Sequence, residues 1–278
     1  MERNFDSMGQ KSTTQRRFDT GRTTGVMTLS GKKLEKIPKK IFTLENLRVL
    51  DMSNNRLKTL PTEVASLQRL KTLKLNDNAL VSANKCLPHL IKLETLNLEN
   101  NRFESIPQLP DKVVKLNVSN NRLVALENIG NLKKLKMLNA SGNQILTIGP
   151  GFENLLSLQS IDLSKNVLVS ILSGVGKLKN LSELVLSNNR LESLPEELGE
   201  CSKLKVLLAD NNNLKTLPST LLLADSLSRL RLEGNRMTKK QFLALDGSSE
   251  FMARRTARLE RQLAGGMHDT DRSVCGLD

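Results

Sequence analysis

The residues able to do chemistry are few and scattered. The chain has 278 residues, with two histidines, His89 and His268, and three cysteines, Cys86, Cys201 and Cys275. A zinc site needs thiolates and imidazoles at short, regular spacings, and these five make no such ligand set. Gly174-Val175-Gly176-Lys177 has the outline of a phosphate-cradling loop. Ile171 stands where that loop needs its first glycine, and Leu178 where it needs a hydroxyl for magnesium. No Ser-His-Asp or Cys-His pairing offers an activated nucleophile. The expectation is a protein with no catalytic residue, no metal and no cofactor.

Two further motifs concern modification. Met8-Gly9-Gln10-Lys11-Ser12-Thr13 matches the acylation pattern M-G-x-x-x-[ST] when translation starts at Met8. Lys11, Arg16, Arg17 and Arg22 follow and supply the basic second signal that one acyl chain needs for membrane residence. The sequence begins at Met1, so acylation of Gly9 requires a start at Met8 or an upstream cut. The triplets Asn117-Val118-Ser119, Asn139-Ala140-Ser141 and Asn180-Leu181-Ser182 match glycosylation sequons. They fall on or beside strands and read as chance.

In place of a reaction centre the chain has a recurring asparagine: Asn55, Asn78, Asn101, Asn121, Asn143, Asn166, Asn189, Asn212 and Asn235. Successive steps are 23, 23, 20, 22, 23, 23, 23 and 23 residues, inside the frame L-x-x-L-x-L-x-x-N-x-L. That frame is the leucine-rich-repeat signature. In Leu181, Leu184, Leu186, Asn189, Leu191, Leu194, Pro195 the leucines at 184 and 186 alternate as one face of a strand must. The Asn amide can satisfy turn backbone groups that are buried without partners. Pro195 opens the outer segment, where a missing N–H is harmless. Leu47–Pro61, Leu93–Pro107 and Leu204–Pro218 copy the pattern. The fourth repeat (Val113, Leu116, Val118, Asn121) is three residues short, which predicts the tightest outer segment, and the fifth carries Ala140 in place of leucine.

The frame resembles the leucine-rich-repeat family, and implies an α/β fold: a horseshoe solenoid of about ten repeats with a parallel concave sheet and a helical C-terminal cap. Leu47–Pro61 and Leu181–Pro195 resemble the short cytoplasmic class of Ras-group-related plant proteins and Shoc2-like scaffolds. Met8-Gly9, Gly25-Val26 and the run from Glu233-Gly234-Asn235 through Phe242, Gly247, Phe251 and Arg255 resemble the family of leucine-rich repeat-containing protein 57. That family implies a glycine-second N-terminus, a cytoplasmic horseshoe and no catalytic activity. The extension Met1–Ser7 and the tail after Leu263 depart from it.

The ends set the expected organisation. Residues 1–23 read as a basic flexible segment, 24–237 as the solenoid, 238–264 as a helical cap and 265–278 as a disordered tail. Met27, Leu29, Leu34 and Ile37 form a degenerate first repeat with Lys32 at the Asn position. Thr238-Lys239-Lys240-Gln241 fits a capping box. A second helix then runs from Ser248 or Ser249 to about Leu263, with Phe251, Met252, Leu259 and Leu263 inward and Arg254, Arg255, Arg258 and Arg261 in water. No apolar run is long enough to span a membrane. Scattered, odd-numbered cysteines point to a reducing compartment, the cytoplasm.

Binding is expected on the concave face. The residues between the strand leucines form a middle row, Asp51, Lys74, Asn97, Asn117, Asn139, Asp162, Val185, Leu208 and Arg231. A second row runs Val49, Thr72, Thr95, Lys115, Met137, Ser160, Glu183, Val206 and Arg229. Val185, Val206 and Leu208, with Met137 further off and Arg229 and Arg231 beside them, have the apolar-core, charged-rim composition of an interface. With the two positions before each Asn, this face carries seven acids and five bases, a net of −2 on a chain of +13. Nucleic acid wants the reverse sign with aromatic platforms, and the chain has no Trp or Tyr. After each Asn a further row holds Arg56, Arg102, Arg122, Arg190 and Arg236, a solvated edge or a docking strip for an acidic partner. The basic residues 1–40, net +6, suit an anionic membrane surface. The expected function is a monomeric protein-binding scaffold or adaptor, membrane-peripheral if Gly9 is acylated. The alternatives are a structural subunit of a cytoskeletal or ribonucleoprotein assembly, and a regulatory subunit for a phosphatase or small GTPase.

Overall fold

The computed structural model describes residues 13–83, 85–264 and 273–277. Ten three-residue strands carry the architecture: β1 (Val26–Thr28), β2 (Val49–Asp51), β3 (Thr72–Lys74), β4 (Thr95–Asn97), β5 (Lys115–Asn117), β6 (Met137–Asn139), β7 (Ser160–Asp162), β8 (Glu183–Val185), β9 (Val206–Leu208) and β10 (Arg229–Arg231). They form one parallel sheet in sequential order, each strand pairing with the next in register. The central residue of each strand is buried and its two neighbours face outward. The frame's apolar residues therefore enter one continuous core, in which Leu50, Leu73, Leu96, Leu116, Ile161 and Leu207 stand at strand centres.

The recurring asparagines stitch this core together. Asn143 is buried; its Oδ1 accepts from Leu123 N at 3.0 Å, while its Nδ2 donates to Val118 O at 3.1 Å and Ala140 O at 3.0 Å. The same bonds recur at Asn101, Asn166 and Asn212, linking each repeat to the one before. Asn55 reaches back to the first repeat, where Lys32 N and Leu34 N donate to its Oδ1. A backbone that turns this sharply also needs a left-handed residue. The position before each ladder Asn supplies it: Asn54, Asp77, Asn100, Asn120, Gly142, Lys165, Asn188, Asn211 and Gly234 all have positive φ. Asn, Asp and Gly tolerate that region at little cost; Lys165, at φ 54°, is the exception.

Most outer segments are 3-10 turns, and some, such as Thr62–Ser66 and Glu196–Glu200, start after a proline. Among the described residues no such turn forms between β4 and β5, where the repeat is short, or between β5 and β6. Close stacking of these turns fixes small side chains. A Cβ on Gly176 would lie 2.7 Å from Glu197 O.

Both ends differ from the sequence expectation. Residues 13–23, read as flexible, belong to helix α1 (Thr13–Thr24), which covers the first repeat with Phe18 buried and Lys40 Nζ 5.1 Å above its ring. An exposed β1 edge leaves apolar side chains bare, and the helix shields them. Gly25, at φ 72°, ends α1 and passes so close to Asn46 O that a Cβ would sit at 2.7 Å.

At the other end, after the five-residue α2 (Ser219–Leu223), α3 (Lys239–Leu243) starts with the Thr238/Gln241 capping box. Helix α4 (Ser248–Ala264) packs Phe251 edge-on against Phe242, ring centres 6.4 Å apart. Its arginines are not all in water. Arg254 donates to the carbonyls of Leu222 and Ala224, and the buried Arg255 donates to Ser273 O at 2.6 Å. Arg258 is half-buried, and Arg261 is exposed. Carbonyls leaving α2 and the chain end need donors there, which the helix provides. The Leu263 side chain lies outside the described residues. Residues 273–277, read as part of a disordered tail, lie on the last repeat: Leu232 N donates to Cys275 O at 2.8 Å, and Cys275 is buried. The sheet edge carries a donor that would otherwise stay unpaired, and the tail accepts from it.

Candidate functional site

The outward residues of the sheet form the two rows in strict register: Asp162 opposite Val185 opposite Leu208 opposite Arg231, and Ser160 opposite Glu183 opposite Val206 opposite Arg229. Val185, Val206 and Leu208 are half-buried, Arg229 is exposed, and Arg231 donates to Glu233 Oε2 at 3.3 Å. The structure therefore brings five of the six candidate residues onto adjacent strands. Met137 stands apart, two strands from Glu183 and 46% exposed. It faces a hollow of about 480 Å³ that also touches Lys115, Asn117, Asn139, Asp162 and Val185. Val185 belongs to both regions, so the hollow and the apolar patch are continuous.

The middle row is divided by a feature that sequence reading misses. Asp51, Asn97, Asn117, Asn139 and Asp162 each use Oδ1 to accept from the backbone N–H two residues on, at 2.8–3.0 Å. Ser53, Ser119 and Ser141 add a hydroxyl bond to the same oxygen. These are Asx turns that start the bend from strand to ladder. They also account for the sequon-like Asn-x-Ser triplets at 117 and 139. The signal that could have found them is the recurring Asx-x-Ser. Lys74, Val185, Leu208 and Arg231 occupy the same row without an oxygen to give, so turn closure does not explain their identity; the last three stand on the adjacent strands β8–β10.

Polar side chains on the N-terminal half of the face are tied to one another. Asn100 Nδ2 donates to Asp77 Oδ1 at 2.7 Å, Asn117 Nδ2 to Glu99 Oε2 at 3.0 Å, and Lys74 lies 3.9 Å from Asp51. These bonds satisfy the side chains from within the face, so a partner landing there would have to break them.

The residues with chemical potential stay dispersed. Burial pushes the Cys86 and Cys201 thiols from 9.0 up to about 11, away from the thiolate that nucleophilic or metal chemistry needs. His89 is exposed, and among the described residues no group of three or more His, Cys, Asp or Glu could hold a metal ion. His268 and Gly9 lie outside the described residues. The Gly174–Lys177 run sits in an outer turn beside a hollow lined by Glu153, Glu197 and Glu200, carboxylates that repel phosphate. The arginine row is exposed at all five positions, and its backbone N–H groups ladder to the preceding repeat. Among the described residues no helix is long and apolar enough to cross a membrane.

Comparison with known proteins agrees with this geometry. A leucine rich repeat family model matches residues 25–80, and a single-repeat model matches 92–111 and 180–201. No curated protein matches. Among solved structures, a leucine-rich-repeat protein of Leptospira interrogans aligns at 23% identity and TM-score 0.66, over 84% of this chain and 72% of that one. The leucine-rich effector YopM of Yersinia pestis aligns at 24% and TM-score 0.67, over 80% and 64%. The complex PEPR1–AtPEP1 aligns at 26% and TM-score 0.64, over 77% and 32%. The chain thus spans about a third to under three quarters of the lengths of these three.

Proposed function

Because the chain is a leucine-rich-repeat solenoid, we propose that it is a non-catalytic scaffold or adaptor that holds another protein on its concave face. The leucine-rich-repeat fold generally mediates protein–protein interaction, and its members are generally non-catalytic binding modules. One observation carries the reading: on three consecutive strands Val185, Leu208 and Arg231 stand where most of the row has turn-closing Asx residues, beside Val206 and Arg229. Half-buried aliphatic groups next to arginines give an interface a desolvated centre with a charged border. The continuous hollow in front of Met137 extends the contact. AtPEP1 in complex with PEPR1 is a precedent for a solenoid of this kind holding a partner.

The finer assignment rests on the ends of the sequence. The resemblance at Met8-Gly9 and across residues 233–255 supports the family of leucine-rich repeat-containing protein 57, with acylation of Gly9 as a secondary membrane tether. Intact-mass analysis of the endogenous protein tests that tether: an acylated Gly9 start supports it, and residues 1–7 retained on the mature chain remove it.

The concave reading is tested by co-purification mass spectrometry with native protein and Val185→Asp/Leu208→Asp, after both are shown to fold. Burying two carboxylates without partners should weaken a partner held there by roughly 100-fold or more. A protein lost only from the variant supports the patch. An unchanged partner set moves the function to an edge or an end.

A further inference from the structure

The chain segments that lead into β2–β10 stack into one edge of the solenoid. They are residues 44–48, 67–71, 90–94, 110–114, 132–136, 155–159, 178–182, 201–205 and 224–228. Backbone bonds tie them in order, among them Lys71 N to Arg48 O at 2.8 Å, Lys136 N to Val114 O at 2.8 Å and Lys205 N to Ser182 O at 2.9 Å. Neighbouring segments are therefore held at strand spacing, about 4.8 Å. The segments contain eleven Lys or Arg against four Asp or Glu, a net of +7 out of the chain's +13. All eleven bases are exposed. In this part of each repeat the core takes the apolar frame residues, so folding places no demand for lysine at the outward positions.

We propose that this edge docks on an anionic membrane surface. Three observations favour lipid. First, nine of the eleven bases are lysine, a compact hydrated charge that lacks the planar fork with which arginine reads single phosphates or carboxylates. Second, no aromatic side chain lies in these segments to stack a base. Third, Ile91 and Leu156 are 54% and 56% exposed at the position that Lys133 and Lys179 occupy in other segments. Aliphatic groups set among lysines are what an interfacial surface presents to headgroups and the acyl boundary. The charge is spread along many repeats, as suits the diffuse potential of an anionic leaflet. At one end Arg48, Arg69, Lys71 and Lys92 surround a hollow of about 340 Å³ closed by Thr23 and Thr24 of α1, room for a headgroup. Lys71 and Lys179 are held in ion pairs with Glu94 and Glu200, so the densest unit is Lys133, Lys134 and Lys136. Docking by this edge leaves the concave face open and requires neither the protein-binding reading nor acylation of Gly9.

The test is vesicle sedimentation of the full, unacylated chain. The probes are phosphatidylcholine vesicles with about 30% phosphatidylserine, against phosphatidylcholine alone, at low and high salt. The variant is Lys133→Glu/Lys134→Glu/Lys136→Glu/Lys203→Glu/Lys205→Glu, with the same five lysines changed to Gln as a milder version and thermal melting as the fold check. Native protein should sediment only with the anionic vesicles. Its affinity should fall roughly tenfold or more in either variant and in high salt. Arg56→Glu/Arg122→Glu/Arg190→Glu on the opposite edge should stay within about twofold. Failure to bind anionic vesicles overturns the proposal, as does equal binding by the lysine variants or an equal loss in the arginine variant. Tighter lysine-dependent binding to an oligonucleotide or to polyglutamate than to vesicles also overturns it, and names the other occupant.

Discussion

At the scale of single residues, most of what looks like chemistry is turn geometry. Asn143→Ala would leave Leu123 N, and the carbonyls of Val118 and Ala140, without their partner. The cost should be about 1–3 kcal/mol in urea unfolding, since those groups are buried. Lys165 offers the opposite case. It holds φ 54° where seven of its eight counterparts at the ladder are Asn or Gly and the remaining one is Asp. Lys165→Asn should stabilise by about 0.5–1 kcal/mol, and an unchanged melting temperature would mean the left-handed region costs this lysine nothing. The buried thiols set a pH limit. Cys86 and Cys201 ionise near 9.0 when unfolded and about 11 when folded. Stability from keeping them protonated is full below pH 9.0 and is lost as pH rises to about 11. Cys86→Ala/Cys201→Ala should flatten that alkaline slope in equilibrium unfolding. The ladder Asn was legible from spacing alone, because a backbone-satisfying amide must recur once per repeat. The Asx turns were not, because an Asn that closes a turn and one that faces a ligand look alike in a row of outward residues.

Among elements, the strands follow from leucine alternation and the ends do not. Each internal repeat finds the same neighbours, so one frame predicts every strand. A terminal element meets a unique surface and obeys no period. Helix α1 is polar over most of its length, TTQRRFDTGRTT, and the buried Phe18 and the close approach at Gly21 anchor it. Phe18→Ala should therefore loosen residues 13–24 and expose Met27 and Leu29, seen as faster amide exchange confined to the first repeat. Exchange that rises evenly along the solenoid would contradict a local cap. The capping box was readable because its two bonds come from a four-residue pattern, and Thr238→Ala should cost about 1 kcal/mol. The contacts of Arg254 and Arg255 were not readable, since the carbonyls they serve are 30 to 32 residues away at α2 and 18 residues away at Ser273.

For the whole molecule, the solenoid separates surfaces by charge and by composition. The concave face is slightly acidic and mostly self-paired at its N-terminal half, while the edge entering the strands is lysine-rich. That arrangement lets a protein contact and a surface contact coexist, and salt distinguishes them. An apolar concave contact should change little with ionic strength, whereas an edge held by lysines should weaken steeply. The face was legible in the sequence to the level of which residues share it, since register follows from the repeat. The hollow in front of Met137 was not, because its depth depends on how neighbouring side chains settle across β3–β8. Site-specific photocrosslinking tests whether a protein partner sits on the patch around Val185 and Leu208. A photoreactive residue at 208 is compared in cells with the same residue at 197 on an outer turn. A partner on the patch should give one dominant adduct from position 208 and none from 197. Adducts of the same protein from 197, with none from 208, would contradict it.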